Sequence, residues 1–479
     1  MSDLNRTIRG VIDRAAANSV WRQRQCFNLI PSETTPSLLV KMCEISDPAG
    51  RYAEHRKMKD KELYFYQGID FIREVEEEAR GELCRFLGCP QVELRPISGQ
   101  MANELVFKAL TRFLNRKEGS GSRAPRIRTV LNHDLTRGGH LSAQPMGSLF
   151  NYVEKDPNTG KERVIHFPVR KDNPYRMDDS GLEDLILTRK PELIIFGKSM
   201  FLYPEPVEQV ARIADQCQPR PLLMYDMAHV LGLYGAFQAP FEEGADVVTG
   251  STHKTFFGPQ RGVVAGNLGS DHPWGEVWLD LVNRAFPGST SNHHLGTLLG
   301  LLLAAVEMNH FKDDYQDQVR RNAKAFAAAL AGSGLEVEGD PSDGYTETHQ
   351  VLLRVRQYDT GEVIARRLEE NNIITNYQAL PDDSSFLESS GIRMGVQEMT
   401  RFGMKEEDFA PLAASMADVI LRNKAVKKEV AAYRQRFLEM KYCLPPAEAA
   451  PLGARLLASI LPGSDYGKRF ADNLVKAFT

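Results

Sequence analysis

The sequence predicts an α/β protein with a mainly parallel sheet, followed by a smaller α+β domain. Short apolar runs bounded by turn residues carry the first part of this prediction: RTVLNH, ELIIFG, PLLMYDMAH, ADVVTGS and GVVAGN. Continuous runs of this kind suit strands that are buried on both faces of a sheet. Helical patterns alternate with them, beginning with an amphipathic stretch at 70–88 that a glycine closes.

The order of these patterns divides the chain into four predicted segments. Residues 1–45 read as an N-terminal helix and an extended arm, and residues 46–300 as a large domain. An apolar helix is predicted over 296–311, and it is too short to span a membrane. The pattern then changes to that of a smaller α+β domain over 301–435, and residues 436–479 read as a packed tail.

Composition excludes several classes of protein. The chain has 479 residues, is 42% hydrophobic and 25% charged, and carries a formal net charge of −4. These values are ordinary for a soluble globular protein and give no general attraction for nucleic acid or an anionic membrane. The six cysteines lack metal-ligand spacing, and the first residues lack the apolar core of a signal peptide. We therefore expect a cytoplasmic protein with reduced thiols and no metal site.

A lysine stands at the end of one predicted buried strand, in the stretch DVVTGSTHKTFFGPQRG. Lys254 follows an apolar run and precedes two phenylalanines and a Gly-Pro break. Burial disfavours the ammonium form and lowers the pKa of a lysine, so a neutral amine becomes available as a nucleophile. Such an amine can form a Schiff base with a carbonyl group. On this residue alone, an ordinary solvated loop lysine remains the alternative.

A carboxylate ends another apolar strand, 28 positions before the lysine. Asp226 lies in LLMYDMAHVLGL, where a buried carboxylate is costly unless it meets a positive partner. The protonated pyridine nitrogen of pyridoxal phosphate would be such a partner, since that cofactor needs an acid there to act as an electron sink. The alternative is an aspartate that caps the next helix. His229, three residues on, could reach the ring's phenolic oxygen or satisfy a local bond.

Three further features are each weak alone. Ser98, Gly99 and Gln100 stand between a short strand and a helix, where backbone N–H groups can cradle a phosphate or the serine can simply cap the helix. His140 follows two glycines that would let the backbone approach a flat ring, although a plain turn explains them too. Arg393 lies in an apolar strand, which suits bidentate capture of a substrate carboxylate or a structural salt bridge.

Together and in this order, these stretches resemble the serine hydroxymethyltransferase family of fold-type I pyridoxal-phosphate enzymes. The resemblance covers roughly residues 25–430. The motifs that carry it are NLIPSETTPS, RYAEHR, ISGQMAN, HDLTRGGHLS, YDMAHVLGL, TGSTHKTFFGPQRG, AFPG and SGIRMGVQEMTRFG. It implies an aspartate aminotransferase-like fold, with a mainly parallel seven-stranded sheet in the large domain and a smaller α+β C-terminal domain.

The resemblance also implies roles for individual residues. Lys254 would carry pyridoxal 5'-phosphate covalently, and Asp226 would pair with the pyridine nitrogen. The other expected cofactor-binding residues are Ser98, Gly99, Gln100, His140, Ser199, His229 and His253. The expected substrate-binding residues are Ser32, Tyr52, Glu54, Tyr66 and Arg393.

The expected catalytic residues, by the same resemblance, are Lys254, Glu54, His229, Asp226 and Tyr66. Glu54 is the acid/base group for the β-hydroxyl proton. In the family some of these groups come from the second subunit, so the resemblance implies a homodimer with shared active sites. Its partners would be small amino-acid and aldehyde substrates.

The sequence departs from the family pattern around this catalytic set. The usual Gly-Pro-Arg-Gly-Gly reads Gly-Pro-Gln-Arg-Gly at 258–262, and Ser291-Asn292 replaces a glycine pair. HRKMKDKELYFYQ replaces a glycine- and proline-rich loop after YAE, and the segment that contacts the pteridine of folate reads NYQALPDDSS. The catalytic set is kept, whereas its surroundings are rebuilt.

This pattern makes an altered acceptor the leading hypothesis. The resemblance implies cleavage or formation of the Cα–Cβ bond of a β-hydroxy amino acid of the glycine, serine or threonine type, through internal aldimine, external aldimine and quinonoid. The departures favour an aldolase or transaldolase type with doubtful use of tetrahydrofolate. The alternative is a true serine hydroxymethyltransferase that uses tetrahydrofolate. Transamination or decarboxylation on the same fold is less favoured because Glu54 is retained.

Overall fold

A computed structural model describes residues 2–58, 61–118, 126–461 and 463–478 of the chain. Its helices are α1 (Ser2–Val20), α2 (Leu38–Glu44), α3 (Asp70–Leu87), α4 (Gly99–Glu118), α5 (Leu182–Arg189), α6 (Val207–Ala214), α7 (Gly275–Ala285), α8 (Leu295–Gly332), α9 (Gly361–Glu370), α10 (Gln397–Arg401), α11 (Phe409–Arg422), α12 (Lys427–Arg434), α13 (Pro446–Ile460) and α14 (Ser464–Phe478).

Its strands are β1 (Phe27–Asn28), β2 (His55–Met58), β3 (Lys61–Tyr64), β4 (Gln91–Glu93), β5 (Val130–Asn132), β6 (Val164–His166), β7 (Leu193–Phe196), β8 (Leu222–Asp226), β9 (Val247–Ser251), β10 (Gly262–Gly266), β11 (Glu336–Val337), β12 (Gln350–Arg354), β13 (Ile373–Ile374), β14 (Asn376–Gln378) and β15 (Gly391–Gly395).

The larger sheet has seven strands in the order β4-β10-β9-β8-β7-β5-β6. Strands β6, β5, β7, β8 and β9 run parallel to one another, and β10 runs antiparallel to both β9 and β4. The prediction of a mainly parallel seven-stranded sheet is therefore confirmed. In such sheets, functional groups collect where the carboxyl ends of neighbouring strands meet.

The apolar runs are continuous because the sheet is buried on both faces. In β7, Leu193 and Ile195 pack into one hydrophobic cluster, whereas Ile194 and Phe196 pack into another on the opposite face. Successive side chains of a strand point to opposite faces, so burial of both faces requires an apolar residue at every position. This arrangement holds the carboxyl ends of β7, β8 and β9 in a rigid frame.

A second, antiparallel sheet of four strands lies in the C-terminal part, in the order β11-β12-β15-β14. This agrees with the smaller α+β domain that was predicted there. The helix predicted over 296–311 is in fact α8, 38 residues long, because a second amphipathic stretch continues it beyond the apolar run. The predicted boundary at residue 300 lies inside α8, and the division into four segments stays a prediction.

Two smaller pairings attach peripheral segments. The N-terminal arm joins the C-terminal part through β1, which pairs in parallel with β13. Strands β2 and β3 form a separate antiparallel hairpin with His55 opposite Tyr64. Among the described residues, no helix is long and apolar enough to cross a membrane.

Candidate active site

Lys254 lies just beyond the carboxyl end of β9. Its Nζ donates a hydrogen bond to Ser251 Oγ at 3.1 Å, and its carbonyl accepts a bond from Thr34 Oγ1 of the N-terminal arm. Burial lowers the pKa of Lys254 to about 8; Asp226 opposes this shift and Arg393 adds to it. A substantial fraction of the amine is therefore neutral near physiological pH, as a nucleophile requires.

Asp226 is the last residue of β8, the strand next to β9, and it is buried. Its Oδ2 accepts bonds from Asn103 Nδ2 at 2.7 Å, from Ser142 Oγ at 3.2 Å and from His140 Nδ1. Burial opposes its charge, but His140 and the hydrogen bonds outweigh burial and lower the pKa of Asp226 to about 2. This carboxylate is ionised at neutral pH and held in one orientation.

Two histidines flank this carboxylate. The rings of His140 and His229 stand edge to face with their centroids 5.5 Å apart. Burial, together with the charges of Lys254 and Arg393, holds the pKa of His229 well below its usual range. His229 is therefore neutral, and its Nδ1 has no hydrogen-bond partner in the described part of the chain. A buried polar atom without a partner suits contact with a bound polar group.

The N-terminus of α4 lies beside Ser251, the residue that Lys254 contacts. Ser98 caps this helix, since its Oγ accepts a bond from the N–H of Met101 at 3.1 Å. A Cβ on Gly99 would lie 2.3 Å from Ser251 Oγ, so any other residue there would displace the hydroxyl that Lys254 contacts. The side chain of Gln100 is exposed. The free N–H groups of a helix N-terminus favour an anion such as a phosphate.

Arg393 enters from the smaller sheet. It lies in β15 and is 8% exposed, with Nη1 donating to the carbonyl of Ser199 at 2.8 Å and Nε donating to Asn376 Oδ1 at 3.3 Å. Burial alone lowers its pKa to about 10, and no carboxylate in the described residues pairs with it. The structural salt bridge that the sequence left open is therefore absent from the described chain.

A second group of predicted residues, Tyr52, Glu54 and Tyr66, flanks the β2–β3 hairpin. The rings of Tyr52 and Tyr66 stand 5.5 Å apart, and each side chain is at least 40% exposed. Partial desolvation, the charge of Glu54 and a hydrogen bond to Glu54 raise the pKa of Tyr66. In the part of the chain that the structure describes, no hydrogen bond, ion pair or ring contact joins these three residues to Lys254.

Ser32 belongs to neither group. It lies on the N-terminal arm and lines a cavity of about 520 Å³ together with His253. Burial and the charge of Lys254 lower the pKa of His253 to about 4. The structure thus brings together the predicted residues around Lys254 and leaves Ser32, Tyr52, Glu54 and Tyr66 outside that group.

Comparison with known proteins decides the family. A family model described as serine hydroxymethyltransferase matches residues 7–416. The serine hydroxymethyltransferase of Staphylothermus marinus is 37% identical over 443 residues, which are 91% of this chain and 93% of that protein. The one from Archaeoglobus fulgidus is 38% identical over 434 residues, 89% and 91% of the two chains. The chain belongs to the serine hydroxymethyltransferase family.

A solved structure adds a second comparison. The L-threonine transaldolase from Pseudomonas fluorescens superimposes with a TM-score of 0.78 at 26% sequence identity. The match covers 94% of this chain and 99% of that one. Membership of the serine hydroxymethyltransferase family and this likeness together imply pyridoxal phosphate as the cofactor.

The residues of this family member fit that cofactor. A buried, partly neutral lysine, an ionised aspartate at a strand end, a helix N-terminus and a neutral histidine whose Nδ1 has no partner among the described residues converge. They supply, respectively, a partner for an aldehyde, a pyridinium, a phosphate and a phenolic oxygen. We therefore take this group of residues as the candidate active site.

Sequence reasoning missed several residues that hold this site. Asn103 is the most important of them, because it bonds Asp226 and also accepts a bond from Thr249 Oγ1. Its position four residues after Gly99 puts it on the same helix face, and that spacing could have revealed it. Nothing in the local sequence indicates His349, whose Nε2 lies 3.0 Å from the carbonyl of Pro31. Burial lowers the pKa of His349 to about 3.

Proposed function

We propose that this protein is a pyridoxal-phosphate enzyme that cleaves and forms the Cα–Cβ bond of β-hydroxy amino acids by a folate-independent, aldolase or transaldolase type of reaction. The observation that carries the proposal is the convergence of Lys254, Asp226 and Arg393 at one edge of the larger sheet. The likeness to a threonine transaldolase over nearly the whole chain supports the same class of reaction.

Bound pyridoxal phosphate would supply an electron sink for the pair of electrons left when a bond to the α-carbon breaks. Lys254 would hold it covalently and Asp226 would bind its pyridine nitrogen. The remaining residues that we assign to the cofactor are Ser98, Gly99, Gln100, His140, Ser199, His229 and His253.

Arg393 would fix the amino acid by its α-carboxylate. The guanidinium keeps two bonds to the protein, from Nη1 to Ser199 and from Nε to Asn376, which hold its plane in a fixed direction. A buried guanidinium without a carboxylate partner in the described chain gains most from a substrate anion. Because the α-carboxylate is common to glycine, serine and threonine, Arg393 selects the amino-acid class and not the side chain.

Glu54 would move the proton of the β-hydroxyl group. It shares a hydrogen bond with Tyr66, beside Tyr52, and these exposed rings are suited to be covered by another surface. We assign Ser32 to substrate binding as well. Since no described contact within one chain joins Glu54 to Lys254, we propose that a second copy of the chain brings Tyr52, Glu54 and Tyr66 to the site in a homodimer.

The altered acceptor is supported by the segment that replaces the family's folate contacts. Asp382 accepts two bonds from Arg354, at 2.8 and 3.0 Å. Asp383 Oδ2 accepts the backbone N–H groups of Leu380 and Ser390, each at 2.8 Å. These carboxylates are used to fold the segment, so they are not free to bind a pteridine, and unpaired polar groups of a ligand are costly to bury.

A true serine hydroxymethyltransferase is the second candidate, and its support is the identity of 37% and 38% with proteins of that name. One experiment distinguishes these two candidate functions. It measures the glycine that is formed from threonine and from serine, with and without tetrahydrofolate. Our proposal predicts cleavage of threonine or another longer β-hydroxy amino acid without folate, and little stimulation of serine cleavage. Strong, saturable stimulation by tetrahydrofolate would establish the second candidate instead.

A further inference from the structure

The base of the β2–β3 hairpin is tied to the body of the protein by one buried histidine. His55 directly follows Glu54 and its side chain is 2% exposed, although most of the described hairpin is exposed. Its Nδ1 lies 3.1 Å from the carbonyl of Ala53, and its ring stacks on Tyr64 of the opposite strand at 4.7 Å. The residue that directly follows Glu54 is therefore buried and held in place by contacts on both sides of its ring.

The other ring nitrogen of His55 faces two carboxylates. Nε2 lies 3.1 Å from Glu62 Oε1 on β3 and 3.7 Å from Glu76 Oε2 on α3. Since Nδ1 faces a carbonyl and Nε2 faces carboxylates, both nitrogens meet acceptors only. An imidazole can donate from both nitrogens only as the imidazolium cation. The hairpin is therefore anchored to α3 by an ion pair through His55.

Glu76 connects this ion pair to a second loop. It is 4% exposed, and its Oε1 accepts a bond from His293 Nε2 at 2.6 Å. Burial and the nearby arginines hold the pKa of His293 well below its usual range, so His293 is neutral. Asn292, the neighbour of His293, donates to the carbonyl of Arg51 at 2.9 Å, on the other side of Glu54. Both ends of the 51–55 segment are thereby attached to the same loop.

Several acids and bases surround the contact between His55 and Glu76. The facing acids are Glu62 of β3, Glu76 of α3 and Glu93 of β4. The facing bases are His55, Arg80, Arg95 and Arg261. Arg95 is committed to Glu93 in a buried pair, and Arg261 donates to backbone carbonyls and to Thr297. A buried carboxylate needs a nearby positive charge, and a protonated His55 supplies one at 3.7 Å from Glu76, whereas His293, the other histidine on Glu76, is neutral.

We propose that His55 is a positioning residue that holds Glu54 at the active site by tying the base of the hairpin to Glu76 and, through it, to the His293 loop. This proposal rests on the role given to Glu54 in the proposed function. It also accounts for two departures from the family pattern together, since the replaced loop begins at His55 and the replaced glycine pair directly precedes His293.

The test is a double-mutant cycle in the full-length holoenzyme. Glu54→Gln should lower kcat for threonine cleavage by about a hundredfold, as the loss of a general acid/base does. His55→Gln should lower kcat by about ten- to a hundredfold through misplacement of Glu54. KM and the amount of bound cofactor should stay within twofold of the wild type. Arg56→Gln, which changes the exposed neighbour of His55, should leave kcat unchanged.

The kcat of the double variant, His55→Gln with Glu54→Gln, gives the decisive result. If His55 acts through Glu54, His55→Gln lowers kcat no further once Glu54 is already glutamine. Multiplicative effects, or wild-type kcat in His55→Gln, would overturn the positioning role. Glu76→Gln provides a second test if His55→Gln folds poorly. It should also lower kcat only when Glu54 is intact, and multiplicative effects of Glu76→Gln and Glu54→Gln on kcat would count equally against the proposal. Unchanged turnover in Glu54→Gln would contradict the acid/base role that the proposed function gives to Glu54, and absence of threonine cleavage in the wild type would contradict the proposed function itself, so the failures are separated.

Discussion

At the scale of single residues, the site depends on buried charges whose states are set by their neighbours. Asp226 stays ionised because His140 and Asn103 compensate for burial, whereas Lys254 loses part of its charge because burial outweighs the attraction of Asp226. His229 is kept neutral by burial and by the two positive groups near it. A fixed anion, an available amine and a neutral imidazole are thus maintained within one small region.

The lowered pKa of Lys254 should control cofactor uptake by the apoprotein. Burial disfavours the ammonium form, so the neutral amine becomes half populated near pH 8, well below the ordinary lysine value of about 10.4. We expect the rate of pyridoxal phosphate uptake to rise between about pH 7 and 9 and then to level off. Stopped-flow absorbance against pH measures this rate, and a rate that climbs steadily beyond pH 10 would contradict the assigned environment.

Arg393→Lys should weaken amino-acid binding while leaving the cofactor bound. A lysine cannot form the bidentate pair with a carboxylate, and such charge-assisted bonds contribute about 1.5–3 kcal/mol. We expect the Kd for glycine, read from the absorbance of the bound cofactor, to rise about ten- to a hundredfold. Arg356→Lys is the matched control, since Arg356 is more than half exposed. Equal glycine affinity in both variants would refute the assignment.

At the scale of secondary-structure elements, we expect the attachment of the β2–β3 hairpin through His55 to depend on pH. Burial alone would lower the pKa of His55, but Glu62 and Glu76 outweigh it and raise the pKa. A raised pKa in the folded state stabilises the protein fully below the unfolded value of about 6.5. This stabilisation is lost as the pH rises through the folded pKa.

The stability of His55→Gln should therefore approach that of the wild type at alkaline pH. We expect the difference in the free energy of unfolding to be largest near pH 6, to shrink as the pH rises from about 6.5 through the folded pKa of His55, and to level off above it. Urea unfolding at a series of pH values measures it, with Arg56→Gln as the control that shows no such trend. A difference that grows with pH would show that His55 is not held as a cation.

At the scale of the whole molecule, the fold places the predicted functional residues in two groups. No contact within the described part of one chain joins the two groups. Lys254 and Asp226 lie at the carboxyl ends of neighbouring strands and Arg393 reaches Ser199 from the smaller sheet, whereas Tyr52, Glu54 and Tyr66 flank the β2–β3 hairpin. A dimer with twofold symmetry presents the same surfaces twice and can complete two sites at once. The exposed rings and the separate location of Glu54 are accounted for by this arrangement.

Complementation between two inactive variants tests shared sites. Lys254→Ala and Glu54→Gln each damage a different half of the site, so a mixed dimer contains one site with both residues intact. After dissociation and random reassociation of equal amounts, we expect about a quarter of the wild-type activity to return. Each variant treated alone provides the control. Recovery no greater than the sum of the two separate variants would show that each site is built from one chain.

Residues at strand ends could be predicted from the sequence, whereas most long-range contacts could not. Lys254 and Asp226 could be found because each ends an apolar run, and neighbouring parallel strands end at the same edge of a sheet. The full length of α8 was missed because the apolar run stops at Phe311, and an amphipathic pattern then continues the helix to Gly332. His349 and the His55–Glu76–His293 connection were missed because their residues lie far apart in the sequence.

Reduction of the purified holoprotein with borohydride, followed by peptide mass spectrometry, tests the central claim most directly. We expect a yellow protein that becomes irreversibly labelled, with the reduced cofactor attached to the peptide that contains Lys254. The amine of Lys254 is buried, partly neutral and close to the N-terminus of α4, which explains why this lysine should be selected among all others. A protein with Lys254 intact that takes up no pyridoxal phosphate, or that carries it on another lysine, would contradict the account.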